Sequence, residues 1–281
     1  MRFVGAVTQA GGQVNEDAWG MVGNDDDVSA AWVFDGVTGI NSRNYLPSET
    51  DAAWFVARAN LHLHALAAQS HPLNEILRML VELLIEDWQF ASKQLDLPAD
   101  YDLPASCLTL IKRYKNTWQA VRLGDCNLLA RKADGSIDVF AAPADDSLSD
   151  AMTKRAKQLG ATGSVEMKSL LAEFQPLLLA QRKTRNMAGG LSILKADMGA
   201  LQFTEYQQFG NVSQILLCTD GFYRAVDCYA LHDNSSLLKE AMNGVERIIH
   251  DIRKVEAGDP ACQRFIRFKP SDDATAMMLS I

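Results

Sequence analysis

The apolar run Ala31-Trp32-Val33-Phe34 stops abruptly at Asp35-Gly36. Such a run, ended by a polar turn pair, specifies a buried strand that carries a carboxylate at its tip, and the glycine is expected to let the backbone turn at once. The same construction recurs at Ile215-Leu216-Leu217-Cys218-Thr219-Asp220-Gly221. Acidic pairs stand at Glu16-Asp17 and Asp272-Asp273. Carboxylates brought to strand ends from distant parts of a chain suit hard divalent ions, which take a few carboxylates and several waters rather than a dense cage. Such ions can hold a phosphate and activate water, so the chemistry needs no side-chain nucleophile.

The remaining composition narrows the alternatives. The 281 residues carry a net charge of -8, with 48% hydrophobic and 22% charged residues, as in an ordinary soluble globular protein. There is no basic block, which argues against a nucleic-acid or anionic-membrane partner. No apolar run has the length of a membrane span. The N-terminus reads as a first strand rather than a signal peptide, so a cytoplasmic location is expected. The five cysteines (Cys107, Cys126, Cys218, Cys228, Cys262) include no Cys-x-x-Cys pair and are expected to be reduced thiols, mostly buried.

Periodicity predicts strands over 2–9, 18–22 and 28–34, the last two joined by the turn Gly23–Asp27. A helix is predicted over 48–69, capped by Ser48 with Asp51 three residues on. A second, over 72–95, carries the stripe Leu73, Leu77, Leu80, Leu84 and Trp88, which means core packing. Strands follow over 107–114, 118–123, 127–131 and 137–141. Residues 143–190 are polar and locally basic, helical between 160 and 189, and read as an insertion or flap. Strands over 200–207 and 214–219, a long helix over 236–255 and a terminal strand over 274–281 complete the chain. That order fits an α+β fold, two antiparallel sheets flanked by helices, better than alternating β-α units.

Taken in order, Asn15-Glu16-Asp17, Phe34-Asp35-Gly36-x-x-Gly39, Leu123-Gly124-Asp125-Cys126-Asn127, Thr219-Asp220-Gly221 and Asp272-Asp273-x-Thr275 resemble the motifs of the metal-dependent, type 2C serine/threonine protein phosphatases. The resemblance runs from about residue 5 to 281. It implies a four-layer α-β-β-α sandwich, one domain over 1–281 that includes the 143–190 flap. It also implies two Mn²⁺ or Mg²⁺ ions with a weaker third. By motif match, Asp17, Asp220 and Asp272 would be metal ligands and Asp35 would bridge the ions. Gly36 would contribute its carbonyl, Glu16 would act through water, and Asp125 would hold the third ion with Asp220. Asp273 would support them. Catalysis would depend on Asp35 and Asp220. The implied reaction is hydrolysis of phosphoserine or phosphothreonine in proteins by metal-activated water, with a phosphoprotein substrate, a cognate kinase and a monomeric enzyme.

The departures from the pattern are specific. Gly12, followed by Gln13, stands where the family usually has a phosphate-clamping arginine, and Val37 stands where many members have histidine. Cys126-Asn127 replaces Ser-Arg. A guanidinium grips phosphate through paired N–H groups that glutamine does not reproduce. Arg43, Arg182 and Arg185 are the candidates to supply that grip. Two alternatives follow from these departures: a non-catalytic regulator that binds a phosphoprotein or kinase, and a phosphatase for small metabolites.

Overall fold

The computed structural model describes residues 1–39, 44–96, 99–115, 117–142, 147–160, 167–267 and 269–281. The chain runs β1 (Arg2–Gln9), β2 (Ala18–Asn24), β3 (Asp27–Gly36), α1 (Asp51–Ala67), α2 (Leu73–Ala91), β4 (Ala105–Tyr114), β5 (Thr117–Leu123), β6 (Asn127–Lys132), β7 (Ile137–Phe140), α3 (Ser147–Gly160), α4 (Met167–Lys183), β8 (Leu194–Lys195), β9 (Glu205–Phe209), β10 (Val212–Cys218), α5 (Asp220–Asp227), α6 (Asn234–Ala241), α7 (Val245–Ala257) and β11 (Ala274–Ser280). Among the described residues these strands form two antiparallel sheets. One has the order β1-β11-β10-β6-β7; the other has β2-β3-β4-β5-β9, with β8 beside β4. The α+β architecture expected from the element order is the one observed.

β3 shows why its sequence is apolar throughout. Successive side chains leave a strand on opposite faces. Ala30, Trp32 and Phe34 pack against α1 and α2, while Ala31 and Val33 face the space between the sheets. β10 repeats this, with Ile215 and Leu217 between the sheets and Leu216 and Cys218 against α5, α6 and α7. Two strands with no wet face therefore lie at the centre of four layers. Trp32 is wholly buried and donates its indole N–H to Asn60 Oδ1 at 2.7 Å.

Several elements depart from the sequence reading. α1 begins at Asp51, and its cap is Thr50, whose side chain accepts from Ala53 N; the Asp51 carboxylate instead accepts from Tyr45 N and Leu46 N. Residues 198–203 form a 3-10 turn ahead of β9 rather than a strand. The helix expected over 236–255 is two, α6 and α7, separated at Gly244, where φ is 138°. A glycine in that conformation ends a helix at little cost. The insertion holds two helices, α3 and α4, with their own small core of Met152, Ala156, Leu170 and Phe174.

One surface segment has an unusual anchor. Asp259 accepts from the backbone N–H groups of Gln263, Arg264 and Phe265 and from the Arg267 guanidinium, and both side chains are buried. Burial pushes the Asp259 carboxyl up, but those donors outweigh it and hold it below the usual carboxylate range. Its contribution is therefore present at neutral pH and is lost only as pH falls through that lowered value. Asp259→Ala leaves Arg267 buried and unpaired, and an expected loss of about 3–5 kcal/mol in chemical denaturation checks this.

Candidate metal centre

Antiparallel pairing gathers the acidic motifs at one end of the sandwich. β3 ends at Gly36 opposite Ser106, near the start of β4, and β4 pairs Leu108 with Leu123 at the end of β5. In the other sheet Cys218, ending β10, faces Asn127 at the start of β6 and Ala276 near the start of β11. Asp17 immediately precedes β2, Asp125 lies between β5 and β6, Asp220 opens α5, and Asp272 and Asp273 precede β11. Residues separated by up to 256 positions in sequence thus meet because their strands begin or end at the same edge.

Asp17, Asp35 and Asp220 interact directly. Burial pushes the Asp35 carboxyl well above the usual range, and Asp220, Asp17 and Asp125 push it further. Asp220 is raised by burial, then by Asp272 and Asp125, and is within hydrogen-bond reach of Asp35. Burial also raises Asp17, with Asp273 and Asp220 adding to it, although Thr219 Oγ1 donates to Asp17 Oδ2 at 2.8 Å. Three carboxylates side by side, Asp17 buried and Asp35 and Asp220 half-buried, are costly unless a cation compensates them. An all-oxygen donor set of this kind fits Mg²⁺ or Mn²⁺ rather than a soft metal. Among the described residues no three His, Cys, Asp or Glu side chains form a ready-made cage.

The supporting contacts join the two sheets. Asp273 accepts from Gly11 N and Glu16 N at 2.7 Å each, tying the loop before β2 to the start of β11. Thr219 accepts from Thr275 N at 3.0 Å while donating to Asp17. Glu16 is buried, and its carboxylate accepts from the Thr38 hydroxyl. Asp272 is placed differently from the other aspartates: its carboxylate is held by Arg224 at 2.6 Å and by Lys269 at 2.5 Å.

The two Asp-Gly glycines have another purpose than the one read from sequence. Neither Gly36 nor Gly221 has a left-handed backbone. A Cβ on Gly36 would lie 2.5 Å from Glu16 O, and one on Gly221 would lie 1.9 Å from Asp273 O. Both are glycine because another main chain passes against them. Gly221 also starts a helix rather than a turn. At Gly124 the conformation itself requires glycine, with φ at 93° and Cys107 Sγ 2.3 Å from a Cβ.

Of the proposed phosphate-holding arginines, Arg43 lies outside the described residues. Arg182, in the last turn of α4, reaches Glu16, and Arg185, just past α4, reaches Asp125 and Asp35. The Arg185 guanidinium is pushed down by burial and back up by Cys107, Asp125 and Asp35. Arg182 donates to the Thr38 carbonyl, and burial and Arg185 push it down to about 10. Glu16, Thr38 and Arg182 line a cavity of about 350 Å³. Gly12 is exposed, with nothing within 4 Å of a Cβ. The sequence reading missed Arg224; α5 places it one turn beyond Asp220, where it meets Asp272. It also missed Thr38, Thr219 and Lys269, and only the Thr-Asp spelling of the fourth motif signalled one of them.

Among the described residues no helix is long and apolar enough to cross a membrane. Residues 4–252 match the protein phosphatase 2C family. No curated protein matches the sequence. Among solved structures, the serine/threonine phosphatase PstP/Ppp of Mycobacterium tuberculosis is 14% identical, with a TM-score of 0.56 and coverage of 99% of this chain and 97% of that one. The serine/threonine phosphatase Stp1 of Staphylococcus aureus is 12% identical, with a TM-score of 0.56 and coverage of 100% and 97%. The catalytic domain of PstP in complex with two manganese ions is 15% identical, with a TM-score of 0.54 and coverage of 98% and 95%. At these identities the likeness is one of fold. The family match, over residues 4–252, covers most of the chain: this chain belongs to the protein phosphatase 2C family.

Proposed function

We propose that the chain is a Mn²⁺- or Mg²⁺-dependent phosphomonoester hydrolase acting on phosphoserine and phosphothreonine in proteins. The observation that carries this reading is the group of carboxylates, buried Asp17 and half-buried Asp35 and Asp220, beside the half-buried guanidinium of Arg185. The manganese ions bound by the similar PstP domain add support. Asp17, Asp35 and Asp220 would hold the ions, with Asp125, the Gly36 carbonyl and, through water, Glu16. Asp272 would join once released from Arg224 and Lys269. When bound, such ions lower the pKa of water from about 15.7 toward neutrality and offset phosphate charge.

The chain's own residues orient the substrate. Arg185 faces Asp35 and Asp125, and paired N–H donation from it would fix phosphoryl oxygens. This takes over the role left open at Gly12. Arg182 holds the Thr38 carbonyl, and the Thr38 hydroxyl holds Glu16, so Thr38 in the loop after Asp35 is fixed through both main chain and side chain. Val37 has no proton to give, so side-chain acid catalysis does not come from this loop.

Phosphate release from phosphoserine and phosphothreonine peptides with Mn²⁺, against release from sugar phosphates, tests the reading. Peptide turnover supports it; sugar-phosphate turnover alone points to a metabolite phosphatase, and no turnover with tight phosphopeptide binding points to a regulator. Arg185→Gln should lower kcat/KM for an aryl phosphate about 10- to 100-fold, through loss of charged hydrogen bonds. An unchanged value would remove Arg185 from this role.

A further inference from the structure

A second cavity, of about 440 Å³, has Asp220 in its wall. Arg224 from α5 lines it, together with Arg264 and Arg267 from the segment after α7 and Met152 from α3. Met152 packs in one cluster with Ile266, so the insertion closes over that segment.

The three guanidiniums differ in what they have free. Arg267 is committed to Asp259 and to the carbonyls of Phe265 and Pro270. Arg224 gives Nη2 to Asp272, but its Nη1 is buried with no hydrogen-bond partner among the described residues. A buried donor of this kind is costly unless an acceptor reaches it. Arg264 is exposed and lies over the Phe265 ring, 4.9 Å from its centroid, which holds the guanidinium without using its hydrogen-bonding edge. The opposing charges in the wall are Asp220, which belongs to the proposed ion site, and Asp227, pushed up to about 6 by burial and by Asp220.

We propose that this cavity receives an anionic side chain of the phosphoprotein, either a carboxylate or a second phosphoryl group, beside the phosphoresidue being hydrolysed. The proposal rests on the phosphatase reading above. Arg224 Nη1 and Arg264 would donate to the anion, and α3 would form the roof.

The test compares three phosphoserine peptides that differ only at the flanking position: alanine, glutamate or a second phosphoserine. Each is assayed with Mn²⁺, beside an aryl phosphate, on the wild type and on Arg264→Gln. The wild type is expected to favour an anionic flank, and Arg264→Gln to lower that preference about tenfold, the loss of one charge-assisted contact. The aryl phosphate and the alanine peptide should be unaffected. A preference for one anion over the other identifies which source the cavity takes. Equal kcat/KM for all three peptides in the wild type would overturn the proposal, and so would a preference that survives in Arg264→Gln. If the wild type hydrolyses nothing, the phosphatase reading fails instead. Calorimetric binding of the same peptides to the two proteins then decides the cavity, since equal affinities reject it.

Discussion

Asp35→Asn is expected to reduce Mn²⁺-dependent phosphate release by at least about 10³-fold, several kcal/mol of transition-state stabilisation, while the protein stays folded. The same change should make the metal-free protein more stable. Asp35 is half-buried beside Asp220, Asp17 and Asp125, and asparagine keeps its shape without its charge. Relief of burial and repulsion should contribute about 1–3 kcal/mol. In thermal unfolding with chelator present, that corresponds to a Tm gain of roughly 2–5 °C. Adding Mn²⁺ should reverse the order. Ion bound at about 100 times its Kd stabilises the wild type by about 2.7 kcal/mol, and the variant should gain far less. A variant that kept its activity, or one less stable than the wild type in chelator, would place the charge repulsion elsewhere.

Gly221→Ala should damage fold and site together. The added methyl would meet Asp273 O at 1.9 Å and Asp272 Cβ at 3.2 Å. Backbone cannot step aside as a flexible side chain can. Asp273 is also fixed, because its carboxylate holds the N–H groups of Gly11 and Glu16. Relief must come from moving the start of β11 or the start of α5, and either motion shifts carboxylates of the cluster. A loss of roughly 3 kcal/mol is expected, at the upper end for overpacking, with weaker Mn²⁺ binding. Gly210→Ala is the matched control, since nothing lies within 4 Å of its Cβ. Calorimetry of the two variants should separate them clearly. Equal Tm values would mean that Gly221 is not held by this contact.

Much of this was legible in the sequence because strands and amphipathic helices write their faces into it. The apolar stretches of β3 and β10 and the Leu73–Leu84 stripe of α2 each announced a buried surface. The acidic motifs were legible as a set, although none was informative alone. What stayed hidden depends on neighbours distant in sequence. Gly36 and Gly221 looked like turn residues because a sequence does not show the main chain of Glu16 and Asp273 that passes against them. α5 is only eight residues long and has no side-chain cap, so periodicity had too little length to register it. With α5 unseen, Arg224 could not be placed one turn from Asp220. Arg182 and Arg185 could be named as candidates only from local positive charge, and the approach of Arg182 to Glu16 and of Arg185 to Asp35 follows from how α4 packs.

The central claim is that these carboxylates bind divalent ions and that binding brings hydrolysis. The most direct measurement titrates Mn²⁺ into the metal-free protein by calorimetry and records phosphate release from a phosphoserine peptide at each point. Binding and turnover should rise together, and chelator should abolish both. Saturation with Mn²⁺ without phosphate release, or release that persists in chelator, would contradict the account.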